Sequence, residues 1–194
     1  MKTMIAKAVL ALMMSCGVAI AGDKESCETI SPQIASAIAS NKACVASELM
    51  PRRAELNTLL SEVQPLVTAM PATHPYKAQA VLYYNRAVAD YNSAEIMLMS
   101  LGPVPTPPGQ SNLSITSLIA NNDTRYATGQ TRYAAGNYAG ALSEFNVVLS
   151  QTQTASSKCF QCWFDQGNGT FWAIGAKSLA VTPVMPMGPG PTMP

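Results

Sequence analysis

The stretch from Ala127 to Phe145, ATGQTRYAAGNYAGALSEF, carries the strongest fold signal in the chain. Gly129 has no side chain and lets two helices approach closely, and Tyr133 packs over the turn that follows. Gly136 and Asn137 suit a tight turn, because both tolerate left-handed backbone conformations. The second helix then presents one packed face at three- and four-residue spacing: Tyr138, Ala141, Leu142, Phe145, Val148 and Leu149. The stretch therefore predicts two antiparallel helices joined by a short turn.

This pattern resembles one tetratricopeptide (TPR) repeat, recognisable at about 122–153 and close to the usual length of about 34 residues. Two positions depart from the family pattern: Arg125 stands near the place of an early aromatic, and Gln153 near that of a final proline. The resemblance implies a protein- or peptide-binding scaffold, because stacked TPR hairpins present a concave groove. A helical hairpin that follows the same packing rules without common descent is the alternative.

Because one repeat cannot bury both its faces, further hairpins are expected on either side. The segments around 44–70 and 76–98 are apolar at helical spacing and predict one of them. A third unit or cap is expected over 156–181, with its turn at Gly167-Asn168-Gly169. Four of its residues would pack against the Phe145 helix: Phe171, Trp172, Ile174 and Leu179. With no period-two alternation, the predicted fold is all-α: antiparallel hairpins stacked as a short, disulfide-stapled TPR-like array.

The first residues are typical of a cleavable secretory signal peptide over 1–21. Lys2 and Lys7 form a positive start, an apolar run follows over 8–14, and Ala19-Ile20-Ala21 is a small-x-small cleavage site. We therefore expect an exported protein, periplasmic or extracellular, with no transmembrane segment in the mature chain. A lipidated N-terminus at Cys16 is the alternative.

The composition divides the mature chain into four parts. Four prolines fall within the eight residues 102–109, which excludes a helix there, and Pro, Gly and Met dominate the last residues. The expected division is an N-terminal helical hairpin region (22–101), a Pro/Gly-rich linker (102–110), a TPR-like helical region (111–182) and a disordered tail (183–194).

The cysteines that remain after cleavage are even in number, which in an exported chain favours disulfides: Cys27, Cys44, Cys159 and Cys162. Four cysteines allow three pairings. We favour the two local ones, Cys27 with Cys44 and Cys159 with Cys162. The C-x-x-C spacing of the second pair is also found in thiol-redox sites, although the βαβ context of thioredoxins is missing.

The remaining composition excludes several function classes. The signal peptide contains 2 of the 12 basic residues, so the mature chain has 12 − 2 = 10 basic and 11 acidic residues. It has no basic patch that would attract nucleic acid. His74 is the only histidine, which excludes metal sites of three histidines and Ser-His-Asp or Cys-His catalysis within the chain. We expect no catalytic residue, no metal and no cofactor, although soft copper(I) ligands are an alternative role for five methionines: Met97, Met99, Met185, Met187 and Met193.

Only 12% of the residues are charged, compared with about 25% in ordinary soluble domains. Such a surface resists association weakly. The leading hypothesis is an exported non-catalytic scaffold or adaptor that binds another envelope or extracellular protein, or copies of itself. The alternative is an envelope copper-binding or thiol-redox protein that uses the C-x-x-C motif and the methionines.

Overall fold

The computed structural model describes residues 22–99 and 113–183, and in these ranges about 90% of residues are helical and none forms a strand. The all-α prediction is therefore confirmed. The predicted signal peptide, the linker 102–110 and nearly all of the tail lie outside the described residues. The described helices are α1 (Asp23–Ala43), α2 (Met50–Ala69), α3 (Lys77–Met99), α4 (Ile115–Ala134) and α5 (Tyr138–Val181), with a π-helical segment (Cys44–Leu49) between α1 and α2.

The segments α1, Cys44–Leu49 and α2 form one long continuous helix, since the backbone stays helical at both junctions. The buried residues of α1 and of α2 each follow a seven-residue repeat, but the two repeats differ in phase by one residue. Four heptads after the buried Ile34 the repeat would reach Glu62, whereas the buried residue is Val63. A π-helical turn accommodates one additional residue within a helix. It therefore keeps both halves of the long helix facing the same core.

Helix α5 is 44 residues long and includes the segment 156–181, for which the sequence predicted a separate hairpin with its turn at Gly167-Asn168-Gly169. The predicted third hairpin is wrong, because the helix continues without a break through all three residues. A Cβ on Gly169 would lie 2.8 Å from Leu56 Cδ2 and 3.3 Å from the Ala87 backbone oxygen. Glycine is needed here for close packing of three helices, not for a turn.

The buried seam of α5 alternates four- and three-residue steps over its whole length, which is the spacing of a coiled-coil core. Its members are Ala141, Phe145, Val148, Thr152, Ala155, Cys159, Cys162, Gln166, Gly169, Ala173 and Ala176. The second helix of the predicted TPR-like hairpin is thus only the first part of a much longer regular helix.

The two long helices run parallel to each other. Asn41 Nδ2 donates to the Thr152 backbone oxygen (3.0 Å), and further along both helices Lys177 Nζ contacts Glu62 Oε2 (2.8 Å). Helices α3 and α4 run antiparallel to α5 and meet near its middle, where Thr116 Oγ1 donates to the Leu98 backbone oxygen (3.0 Å). The result is an elongated bundle in which α3 and α4 together form the third, interrupted helix.

The core consists of four apolar clusters that follow one another along this bundle. Alanines fill much of it, including Ala80, Ala87 and Ala94 at seven-residue intervals on α3. Small side chains let the helix axes approach closely, so the core is thin. In the part of the chain described, no helix has both the length and the apolar character needed to cross a bilayer.

Candidate functional site

The residues predicted to pack in the repeat lie together at the turn between α4 and α5. Gly136 has a φ of 77°, the left-handed conformation that favours glycine. A Cβ on Gly129 would lie only 2.5 Å from Phe145 Cε1, and both Phe145 and Ala141 are buried. The close crossing therefore depends on the missing side chain at Gly129.

Tyr133 connects this hairpin to the start of the long N-terminal helix. Its ring meets that of Tyr138 edge-on, with the centroids 5.3 Å apart. Its hydroxyl donates to Glu28 Oε1 at 2.6 Å. This hydrogen bond to a carboxylate raises the pKa of Tyr133 to about 12, because the phenolate would repel the negative charge of Glu28.

We expect Tyr133 to ionise near pH 12, about two units above the reference value for tyrosine. Because the folded-state pKa is raised, the bond stabilises the fold below pH about 10, and this contribution is lost as the pH rises towards 12. Spectrophotometric titration of tyrosinate absorbance measures this step. Tyr133→Phe should remove it and Tyr76→Phe should leave it. Identical high-pH curves for the parent and Tyr133→Phe would contradict the assignment.

An exposed apolar stripe runs along the C-terminal half of α5, on the face opposite the buried seam. It consists of Phe160, Phe164, Phe171, Ile174 and Val181. Phe160 and Phe171 are each 67% exposed. Of the four phenylalanines in the chain, only Phe145 is buried. The predicted packing of Phe171 and Ile174 against the Phe145 helix is therefore wrong, since both belong to that same helix and face outward.

The stripe has the spacing of a second coiled-coil seam. Steps of four and three residues lead from Phe160 to Val181 through Gly167 and Ser178, which complete the heptad positions. This half of α5 thus carries two opposite seams, only one of which is covered by the described helices.

A tryptophan lies on each side of the stripe, and both are held by arginines from neighbouring helices. The Arg52 guanidinium carbon lies 4.2 Å from the centroid of the Trp163 ring, and that of Arg86 lies 4.9 Å from Trp172. The ring of Phe171 also meets Trp172 edge-on at 5.1 Å. These cation–π and aromatic contacts fix the borders of the stripe.

Charged side chains are few on this half of α5, and none lies in the stripe. Between 156 and 181 the helix carries Lys158, Asp165 and Lys177. Asp165 is buried and accepts a hydrogen bond from Ser93 Oγ at 3.0 Å. Lys177 is paired with Glu62. The stripe is therefore uncharged along its whole length, and five of its seven heptad positions carry aromatic or aliphatic side chains.

The cysteines are arranged differently from the two predicted local pairs, and all four are free thiols. Cys27 and Cys44 lie on one continuous helix, 17 residues and about 25 Å apart, so the first pairing is wrong. Cys44 instead approaches Cys159 of α5 to 2.6 Å. Cys162 points away from this pair, because its Sγ contacts the Ala94 backbone oxygen at 3.6 Å.

The local environments give these thiols different pKa values. The hydrogen bond from Cys159 lowers the pKa of Cys44, because it stabilises the Cys44 thiolate. The same bond, followed by burial, raises the pKa of Cys159. Burial raises the pKa of Cys162 to about 12. Cys44 is also more exposed than the other two thiols.

A nearly buried ion pair connects the middle of the long helix to α3. Arg53 binds Glu95 through two hydrogen bonds: Nη2 donates to Oε2 at 2.9 Å, and Nε donates to Oε1. Glu95 is only 5% exposed. The fork of the guanidinium thus neutralises a carboxylate in the core.

The candidate metal ligands do not form a cluster in the described ranges, where no group of three or more His, Cys, Asp or Glu side chains is placed to hold an ion. Met97 packs against the central apolar cluster, and Met99 is exposed. Met185, Met187 and Met193 lie outside the described residues. The copper hypothesis stays a prediction.

Comparison with protein-family models, with curated proteins and with solved structures finds no match to this chain. The likeness of 122–153 to a TPR repeat remains a resemblance.

Proposed function

We propose that this protein is an exported, non-catalytic helical scaffold, periplasmic or extracellular, that self-assembles through the apolar stripe of α5. The observation that carries the proposal is the exposure of Phe160, Phe164 and Phe171 on one helical face. A helix that is apolar on two opposite faces is normally covered on both. A contiguous exposed apolar patch is typical of an interaction site.

The pattern of the stripe favours a second copy of the same helix as its partner. From Phe160 to Val181 it extends over three heptads, about 32 Å. A heptad seam is complementary to another seam of the same spacing. The adjoining positions on α5 bring only Lys177 as a charge, and Glu62 already neutralises it, so two copies would not repel each other there.

The border residues strengthen this interpretation. Tryptophan and arginine are enriched among the residues that dominate binding energy in protein interfaces. Trp163 and Trp172 stand beside the stripe with Arg52 and Arg86 stacked on them, so these large groups are already ordered before binding. Preorganised side chains lose less entropy on association. Another envelope or extracellular protein with an apolar helix is the second candidate partner.

The hairpin that resembles a TPR repeat has a proposed role in the scaffold. The hairpin of α4 with the first part of α5 retains the close approach of Gly129 to Phe145. We infer that this unit acts as a rigid base that holds α5, because its core includes Cys27, Ile34 and Ile38 from the N-terminal helix. The scaffold function thus depends on one TPR-like hairpin and on the long helix that leaves it.

The double change Phe164→Asp and Phe171→Asp should disrupt self-assembly, because each copy would place two carboxylates in an apolar interface. We expect the dissociation constant of the dimer to rise at least about 100-fold, which corresponds to about 2.7 kcal/mol. Sedimentation equilibrium of the mature chain measures it.

Val147→Asp is the matched control, since Val147 is exposed on the same helix about 20 Å before Phe160. This variant should dimerise like the parent, and all three proteins should retain the same helical circular dichroism. A parent chain that stays monomeric at every concentration, or a double variant that dimerises like the parent, would refute the proposal.

A further inference from the structure

Three cysteines lie near the middle of the bundle, where the π-helical segment of the first long helix faces α5. Cys44 is the first residue of that segment, and Cys159 and Cys162 are one turn apart on α5. Cys44 and Cys159 approach to 2.6 Å, whereas a disulfide bond measures about 2.05 Å. Once the two thiols are oxidised, only a small side-chain movement is needed to bring the sulfurs to bonding distance.

We propose that Cys44 and Cys159 join in a reversible disulfide that ties the N-terminal long helix to α5, while Cys27 and Cys162 remain thiols. The two sulfurs belong to parallel helices that the surrounding contacts already hold in register. Asn41 lies one turn before Cys44 and accepts a hydrogen bond from Ser156 Oγ at 2.8 Å, one turn before Cys159. The bond therefore forms between groups whose backbones are fixed, which limits strain.

The other two cysteines are directed elsewhere. Cys27 lies in the cluster at the far end of the bundle, where its Sγ contacts the Tyr138 backbone oxygen at 3.5 Å. Cys162 is fully buried and directed to the Ala94 backbone oxygen on α3. Neither thiol is accessible to an oxidant without opening the bundle.

The oxidant is a disulfide-bearing molecule, such as glutathione disulfide or the active-site disulfide of an oxidoreductase. The Cys44 thiolate attacks one sulfur of that disulfide, forms a mixed disulfide, and releases the other sulfur as a thiol after it takes up a proton. The Cys159 sulfur then loses its proton and attacks Cys44 Sγ, and the second oxidant sulfur leaves as a thiol. Two protein thiols are oxidised by two electrons, and one oxidant disulfide is reduced to two thiols.

The order of attack follows from exposure. Cys44 is half-buried, whereas Cys159 is almost inaccessible, so an oxidant meets Cys44 first. The hydrogen bond from Cys159 lowers the pKa of Cys44, which supports the same order.

The bond closes a loop of 115 residues, the difference between positions 159 and 44. Constraining so long a loop in the unfolded chain has a large stabilising effect. We expect reduction to lower the melting temperature by about 10 °C. An exported chain would therefore be more stable in the oxidising compartment than before export.

Peptide mass spectrometry tests the pairing. The mature chain is incubated with glutathione disulfide, denatured without reductant, alkylated and digested with chymotrypsin, which separates Cys159 from Cys162 by cleaving after Phe160. We expect a peptide pair linking Cys44 to Cys159, and alkylated Cys27 and Cys162. A bond between Cys159 and Cys162, any bond to Cys27, or four alkylated thiols would overturn the proposal.

Thermal melting provides the second measurement. Reduction should lower the melting temperature of the parent and of Cys27→Ala by the same amount, and should leave that of Cys44→Ala unchanged. The mass measurement uses the unmodified sequence, so it decides the pairing even if a variant fails to fold. A Cys44→Ala protein with the full parental response to reductant would contradict the assignment.

Discussion

Replacing Gly129 by leucine is expected to lower the free energy of unfolding by about 3 kcal/mol. Even a Cβ at this position would lie 2.5 Å from Phe145 Cε1, and the ring cannot withdraw because it is buried against Tyr126 and the N-terminal helix. The larger side chain must therefore separate α4 from α5. Urea-induced unfolding at matched protein concentration measures the change.

A pair of alanine substitutions controls for helix propensity. Gly167 is also inside a helix, but a Cβ there meets only Arg52 Nη1, at 3.8 Å. Gly167→Ala should raise the free energy of unfolding by about 0.5–1 kcal/mol, since alanine favours helices. Gly129→Ala should lower it. If both changes raise stability equally, the close crossing at Gly129 is not required.

Replacing Arg53 by methionine is expected to lower the free energy of unfolding by about 3–5 kcal/mol. The change leaves the carboxylate of Glu95 in the core without its two hydrogen bonds. The double variant Arg53→Met with Glu95→Leu should regain most of this loss, because no charge then remains buried. Denaturant unfolding of the parent, of each single variant and of the double variant, as a double-mutant cycle, measures the coupling.

The exposed ion pair of Lys177 with Glu62 is the comparison for this effect. Both side chains are about half exposed, so Lys177→Met should change stability by no more than about 1 kcal/mol. An equally small loss in Arg53→Met would show that Glu95 reaches water when unpaired, and would contradict its placement in the core.

The hairpin at Gly136 was predictable because its signals are local. A left-handed glycine, an asparagine that caps the next helix, and apolar residues at three- and four-residue spacing all lie within 20 residues of each other. The Asn137 Oδ1 accepts a hydrogen bond from the Gly140 backbone nitrogen at 3.0 Å, as an N-cap does. The all-α class followed from the same periodicity along the rest of the chain.

The unbroken course of α5 was not predictable from composition, since Gly167-Asn168-Gly169 has the residues of a turn. Gly169 is buried between α2 and α3, and only the tertiary structure distinguishes such a packing glycine from a turn glycine. The heptad spacing continues through this point and is the signal that would have identified the helix. The same spacing would have separated the exposed stripe from the buried seam.

The contact of Cys44 with Cys159 depends on two long-range features. One is the parallel arrangement of helices that are more than 100 residues apart in the chain. The other is the position of Cys44 on the side of the long helix that faces α5. Neither is visible in a short window of sequence, so local cysteine pairs looked preferable.

The exposed stripe requires α5 to continue as a helix through Gly167-Asn168-Gly169, because only then do Phe160, Phe164, Phe171 and Ile174 share one face. Amide hydrogen exchange of the mature protein, followed by NMR at residues 166–170, tests this claim. We predict slow exchange there, comparable with the buried seam around Ala155 and Ala173. Rapid exchange confined to these residues would indicate a turn, and the stripe and the assembly proposed from it would then not exist.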